Sequence, residues 1–267
     1  MSVQRNDNWA AGDLYEPYVG RWSRLAAKDF LQWLALPAQL DWLDVGCGTG
    51  ALTQTILQQA QPQSVKGIDP SAGFVDFAKA HVCDPKVTFD VGDAQSLPVE
   101  SDRFDVAASG LVLNFVPKPS LAAQEMARVV RAGGTVAAYV WDYAGKMELM
   151  RYFWDAAAEL DPTASNLVEA TRFPMCQPPA LTSLFQDAGL NDVRTQLIDV
   201  PTTFKNFDDY WTPFLGGQGP APAYAMSLAE ERRIALRDRI RETLPIAGDG
   251  SIALIARAWA VRGQVSQ

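Results

Sequence analysis

The sequence predicts an α/β fold: a mostly parallel sheet of seven strands with helices on both faces and a helical cap built from insertions. Three observations predict it. Between residues 42 and 141, short apolar runs alternate with segments of helical period, the pattern of a parallel sheet joined by crossover helices. At the end of the first run, Leu43-Asp44-Val45-Gly46-Cys47-Gly48-Thr49-Gly50 passes from an apolar strand through a carboxylate and a glycine-rich turn into a helix pattern. After Trp141 the alternation stops, and helical stripes and proline-marked loops take over.

Each element has its own signal. Tyr18–Leu36 reads as a helix with apolar Trp22, Leu25, Ala26, Phe30, Trp33 and Leu34, stopped by Pro37. Upstream, Asn6–Pro17 is largely polar, with Trp9 and Tyr15, and reads either as a mobile lid or as an ordered tail. The strands are Trp42–Val45, Ser64–Ile68, Val87–Val91, Phe104–Ala108 and Thr135–Trp141, with helices Leu52–Ala60, Ala72–Val82 and Leu121–Val130 between them. Met147, Met150, Phe153, Trp154, Ala157 and Leu160 form a helical stripe. Ala180–Ala188 is a helix ended by Gly189, and Val193–Val200 is a strand. The aromatic stretch Phe207–Leu215 leads into a glycine-rich connection, 216–220. Ser227 and Glu230 have capping-box spacing and open a helix to about Leu244, and Ile252–Val261 closes the sheet. The chain thus reads as a single domain with an N-terminal helix or lid (1–39), a core (40–142) and cap insertions at about 143–178 and 202–248.

Composition narrows the function. The chain has 267 residues, 48% of them hydrophobic, enough for a well-buried core. Lys plus Arg is 23 and Asp plus Glu is 31, a net charge of −8, and no basic run is present; nucleic acid is therefore not the expected partner. No apolar run approaches the ~20 residues needed to span a bilayer, and the N-terminus has no apolar core of a secretory signal. Cys47, Cys83 and Cys176 are widely spaced with no metal-ligand pattern, so the expectation is a reduced cytoplasmic protein without a metal.

The strand-end motifs carry the chemistry. Gly46-x-Gly48-x-x-Ala51, with Asp69 about 20 residues on, also fits a dinucleotide fingerprint. Asp44, two positions before the first glycine, argues otherwise: a carboxylate there repels a pyrophosphate and suits a cationic amino-acid tail. It could also cap the following helix, and the two roles can coexist. Asp69, ending the second strand in Gly67-Ile68-Asp69-Pro70-Ser71, can take both hydroxyls of a ribose, with Pro70 flat on an adenine; either cofactor would use it. Asp93 and Ala94, after the third strand, can hold an exocyclic amine, although Asp93 also suits a plain turn.

Leu43–Gly50, Gly67–Ser71, Gly92–Ala94, Phe104-Asp105-Val106 and Glu125-x-x-Arg128-Val129-Val130-Arg131-Ala132-Gly133-Gly134 resemble the successive motifs of class I S-adenosylmethionine-dependent methyltransferases. The likeness is to the small-molecule branch that resembles the ubiquinone/menaquinone biosynthesis enzymes, and it covers about residues 40–141. It implies a Rossmann-like fold, S-adenosylmethionine as cofactor and transfer of a methyl group to a small-molecule acceptor by in-line displacement. By position it implies Gly46, Gly48 and Gly50 near the methionine part, with Asp44 orienting that loop. It implies Asp69 and Pro70 on the ribose and adenine, Asp93 and Ala94 on the adenine amine, and Ser109 and Gly110 near the methionine tail. Tyr18 and Arg21 are the candidates for residues lying over the cofactor. If the reaction needs a base, Asp142 and Tyr143, just past the fifth strand, are the first candidates; the single histidine, His81, lies away from the strand ends. Glu125 and Arg128, three apart on a helix, read as an internal ion pair. The Met and aromatic content of the insertions points to an apolar or aromatic acceptor. Two other readings stand beside this one: an NAD-linked oxidoreductase or epimerase, and a protein that binds S-adenosylmethionine without turnover.

Overall fold

Seven strands form one sheet in the order β3-β2-β1-β4-β5-β7-β6. They are β1 (Asp41–Val45), β2 (Ser64–Asp69), β3 (Val87–Val91), β4 (Phe104–Gly110), β5 (Val130–Trp141), β6 (Asn191–Phe204) and β7 (Ile252–Gln264). The first five run parallel, and β7 is antiparallel to both β5 and β6. This computed structural model describes residues 16–216 and 219–266, without the side chains of Glu16 and Pro17, so most of the expected lid segment lies outside the described residues.

The sheet explains the apolar runs. Trp42, Leu43, Asp44 and Val45 are all buried, because β1 sits between β2 and β4 with helices on both faces. Crossovers lead outward from β1 through β2 to β3, and then back to β4 on its other side. Strand order therefore reverses between β1 and β4, and beyond the carboxyl ends of such a pair an α/β sheet opens a crevice.

The helices follow the predicted register with shifted ends. A single π-helical turn, Glu16–Gly20, precedes α1 (Arg21–Leu34). The helix ends at Ala35, which takes a left-handed conformation two residues before Pro37. Then come α2 (Ala51–Gln59), α3 (Ala72–His81) and α4 (Pro119–Val129). The cap holds α5 (Glu148–Leu160) and the short α6 (Glu169–Arg172), while α7 (Pro178–Asp187) returns to pack on β6 and β7. The second insertion supplies α8 (Phe207–Trp211), α9 (Pro220–Ser227) and α10 (Glu230–Thr243), and α10 packs on α5.

Two expectations are corrected. The last strand pair is longer than predicted: β6 continues through Pro201, Thr202 and Thr203 to Phe204, paired with β7 throughout. Proline fits there because β6 is the edge strand and has one side free of ladder bonds. The second insertion accordingly starts after Phe204. The capping box does not form either. Ser227 is the last residue of α9, and its hydroxyl donates back to the Tyr224 carbonyl (2.7 Å); Ala229 precedes α10 with no side-chain cap.

An aromatic cluster joins the two insertions to the N-terminal turn. Phe153 of α5 stacks on Phe214 (4.6 Å between centroids), and Tyr18 meets the same ring edge-on (5.3 Å). No helix among the described residues is long and apolar enough to cross a membrane.

Candidate active site

A cavity of about 280 Å³ opens where the strand order reverses. Its floor is the turn between β1 and α2. The Gly46 and Cys47 amides both donate to the Ile68 carbonyl (2.7 and 3.1 Å), which ties the turn to the end of β2. Gly48 takes a φ of +51°, and a side chain added there would meet nothing within 4 Å, so its backbone faces open space along the cleft.

Asp69 organises that floor. Its Oδ2 accepts from the Gly48 amide (2.9 Å) and its Oδ1 from the Ser71 amide (2.8 Å), so one carboxylate holds both the glycine turn and the start of α3. Asp69 is nearly buried and lines the cleft, and each oxygen keeps a further lone pair. Burial raises its carboxyl above the usual range, while the two backbone donors pull it back. Pro70 lines the cleft beside it, and Ser71 caps α3 by accepting from the Phe74 amide (3.3 Å). Asp93 and Ala94 form the far wall. Asp93 is exposed and accepts from the Gln95 amide (2.9 Å), so it shapes a turn and also presents a carboxylate to the cleft.

Asp44 lies beneath the turn, completely buried and outside the cleft lining. Its Oδ2 accepts from the Thr53 hydroxyl on α2 (2.6 Å), and its Oδ1 has no partner. Burial pushes its carboxyl up to about 7, and the Thr53 hydrogen bond only partly offsets this. A carboxyl whose folded pKa lies above its unfolded value binds its proton more firmly in the native state, so stability falls as pH rises from about 4 to about 7. Asp44→Asn keeps an acceptor for Thr53 and removes the charge. At pH 8 the variant is expected to be more stable than wild type by on the order of 2–4 kcal/mol, with no advantage near pH 4. Urea denaturation of both proteins at the two pH values checks this, and equal curves at pH 8 would refute it.

The other sequence candidates divide by helix face and strand side. Gly110 lines the cleft with the Tyr139 hydroxyl against it, whereas Ser109 is fully buried and donates to the Val45 carbonyl (2.9 Å), tying β4 to β1. Gly50 also lies outside the lining. Tyr18 turns into the aromatic cluster, and Arg21 pairs with Asp209 (2.8 Å) and lies over the rings of Trp22 and Phe204. The helix face that reaches the cleft is instead that of Val19 and Ser23, four residues apart. Asp142 is nearly buried outside the lining and holds the turn into the cap, accepting from the Gly145 amide (2.9 Å) and from the Gln177 amide group (2.8 Å). Tyr143 lines the cleft. Glu125 and Arg128 pair (2.7 Å) and clamp the loop after β3 through Leu97 and Val99.

The opposite end of the cleft was not foreseen. Its wall is the loop after β4, with Leu111, Val112, Phe115, Val116 and Pro117, together with Tyr139 and Trp141 of β5 and Met150 of α5. Tyr139 and Trp141 alternate with Val140, so their shared direction was readable from strand period. The loop offered no polar motif. Cys47 also lines the cleft, but burial drives its thiol far above the range in which a thiolate forms.

These parts make a polarised site. Two carboxylates line one end and an apolar and aromatic wall the other, and among the described residues no Lys, Arg or His lines the cleft. A pyrophosphate would meet those two carboxylates, which disfavours a dinucleotide. A ligand with a ribose, an adenine and a cationic amino-acid tail fits the two carboxylates that line the cleft.

Comparison with known proteins agrees. Residues 43–138 match the family described as "Methyltransferase domain". The chain is 32% identical over 180 residues to 2-methyl-6-phytyl-1,4-hydroquinone methyltransferase 2 of Oryza sativa subsp. japonica, covering 67% of this chain and 47% of that protein. It is 32% identical over 118 residues to a ubiquinone/menaquinone biosynthesis C-methyltransferase of Campylobacter jejuni, covering 42% of this chain and 49% of that protein. The chain thus spans about half the length of these two relatives. Among solved structures, phosphoethanolamine N-methyltransferase 2 of Haemonchus contortus, in complex with S-adenosylmethionine, superposes with a TM-score of 0.60 at 14% identity, covering 96% of this chain and 56% of that one. The domain match over residues 43–138, the seven-stranded fold and the carboxylate-lined turn agree: this part of the chain is a methyltransferase domain with a site for S-adenosylmethionine.

Proposed function

We propose that the chain transfers a methyl group from S-adenosylmethionine to a small-molecule acceptor with an apolar or aromatic body. The observation that carries this reading is the single cleft with a carboxylate end and an apolar end meeting at the glycine turn. Bound S-adenosylmethionine supplies a methyl on a cationic sulfur, which departs as a neutral thioether. In this reading Asp69 accepts from the ribose hydroxyls, Pro70 packs on the adenine, and Asp93 with Ala94 holds its amine edge. Gly46, Gly48 and Gly110 let the backbone approach the methionine part, while Asp44, Gly50 and Ser109 support the strand ends from behind.

The apolar wall of Phe115, Met150 and Tyr143 excludes water and aligns the acceptor, from which most of the acceleration in such a displacement derives. An aromatic acceptor accords with the hydroquinone in the name of the rice relative. Three free cysteines suit a reducing compartment, which is the support for a cytoplasmic enzyme.

The test has two parts. Calorimetry is expected to detect S-adenosylhomocysteine binding to the wild-type chain. Methyl-labelled S-adenosylmethionine with a pooled metabolite extract is then expected to yield a labelled small molecule. Binding without label would leave a binding protein, and absence of binding would remove the cofactor assignment for this cleft.

A further inference from the structure

Asn114 stands out among the residues that the proposed chemistry does not use. It is nearly buried, and neither its amide nitrogen nor its amide oxygen has a hydrogen-bond partner. Buried polar side chains in native proteins are almost always paired, so a wholly orphaned amide marks either a cost tolerated for function or a partner that arrives with a ligand.

Its position says which ligand. Asn114 is the middle residue of the 3-10 turn Leu113–Phe115, in the loop that follows β4 at the carboxyl edge of the sheet. Leu111, Val112, Phe115, Val116 and Pro117 of that loop line the cleft, while buried Leu113 and Asn114 lie just behind this wall. Between Leu111 and Pro117 it is the one residue with a polar side chain. Leu111 opens the loop with a φ of +63°, a left-handed conformation that leucine rarely adopts. Backbone strain of this kind collects at ligand sites, where the surrounding structure holds it in place. Val112 packs against Gly46, so the loop starts beside the proposed methionine end of the cofactor and runs from there along the apolar wall through Phe115, where the transferred methyl would meet its acceptor.

We infer that Asn114 recognises the methyl acceptor: a change of rotamer brings its amide to the cleft, where it pairs with a hydroxyl on an otherwise apolar molecule. An amide offers a donor and an acceptor side by side, and a hydroxyl is the smallest group that answers both. No other side chain between Leu111 and Pro117 is polar, so this contact would help set the orientation of the ring or chain that carries the nucleophile. The inference rests on methyl transfer in this cleft, as proposed above.

The test compares wild type with Asn114→Leu and Asn114→Ser. Leucine is close in size and removes the orphaned amide, whereas serine keeps a small donor and acceptor. If the amide serves a ligand, Asn114→Leu melts at or above the wild-type temperature and binds S-adenosylhomocysteine within about twofold of wild type. Its label transfer from S-adenosylmethionine into the pooled metabolite extract then falls by about tenfold or more, with Asn114→Ser in between. A clear drop in the melting temperature of Asn114→Leu overturns the inference, because the amide would then be paired within the folded protein. Unchanged label transfer by Asn114→Leu also overturns it. If wild type itself binds S-adenosylhomocysteine and transfers no label, the methyl-transfer reading fails first and this inference falls with it.

Discussion

Asp69→Ala is expected to lose S-adenosylhomocysteine affinity by about a hundredfold or more, the largest binding effect of any single change in the cleft. The expectation comes from how many partners one carboxylate holds. Its two oxygens accept from the Gly48 amide at 2.9 Å and the Ser71 amide at 2.8 Å, so alanine frees both sides of the floor at once. Hydrogen bonds to an ionised group are worth roughly 1.5–3 kcal/mol each. The proposed ribose contacts would be lost in addition. The same substitution leaves β2 paired to β1 and β3 through backbone bonds, so the fold survives with a lower melting temperature. A pH series separates the ligand role from the scaffold role. Burial places the Asp69 carboxyl above its ordinary 3.8. The ionised form is the acceptor, so affinity declines as pH falls through that raised range, and Asp69→Ala shows no such decline. Calorimetry across pH checks both statements. Wild-type affinity in Asp69→Ala would remove this residue from the site.

The carboxylate end of the cleft was legible in the sequence because its residue types stand at fixed places on the strand ends. A glycine turn, an acid ending β2 and an acid after β3 have few other reasons to occur in that order. The parallel core was legible for a related reason: strands buried on both faces, such as β1, read as unbroken apolar runs. The apolar end was not legible. Phe115, Met150, Trp141 and Tyr143 are the same residue types that fill the core, and only the path of the loop after β4, with Leu111 at positive φ, decides that Phe115 faces the cleft. Tyr18 and Arg21 illustrate a second limit. Helical period says which residues share a face of the N-terminal segment, but not which face meets the cavity. Docking of that segment against Phe204, Asp209 and Phe214 of the distant second insertion and its preceding strand presents Val19 and Ser23 instead. The extra length of β6 escaped for a third reason: Pro201 reads as a strand end unless the strand is known to be an edge.

Gly46→Ala is expected to destabilise the folded protein by about 2–4 kcal/mol. Two costs combine at this position. The backbone holds a φ of +75°, which alanine adopts only with strain. A methyl group built there would lie 2.5 Å from Val112 Cγ1 and 2.7 Å from Cγ2, far inside normal contact. The turn cannot simply retreat, since the Gly46 and Cys47 amides are both bonded to the Ile68 carbonyl. If the turn does shift, the Gly48 amide moves off Asp69 and S-adenosylhomocysteine affinity falls as well. Val112→Ala in the same chain removes the two nearest carbons, so the pair is expected to be less destabilised than the sum of the single changes by about 1 kcal/mol. Gly48→Ala provides the contrast. A methyl there meets nothing within 4 Å, so its stability loss stays near the conformational cost of about 1 kcal/mol. Yet the methyl stands in the cleft, and affinity is expected to drop more steeply than stability. Thermal melts and calorimetry on the four variants separate a turn that must pack against Val112 from one that must leave room for a ligand. Equal melting temperatures for Gly46→Ala and Gly48→Ala would refute the packing half of the argument.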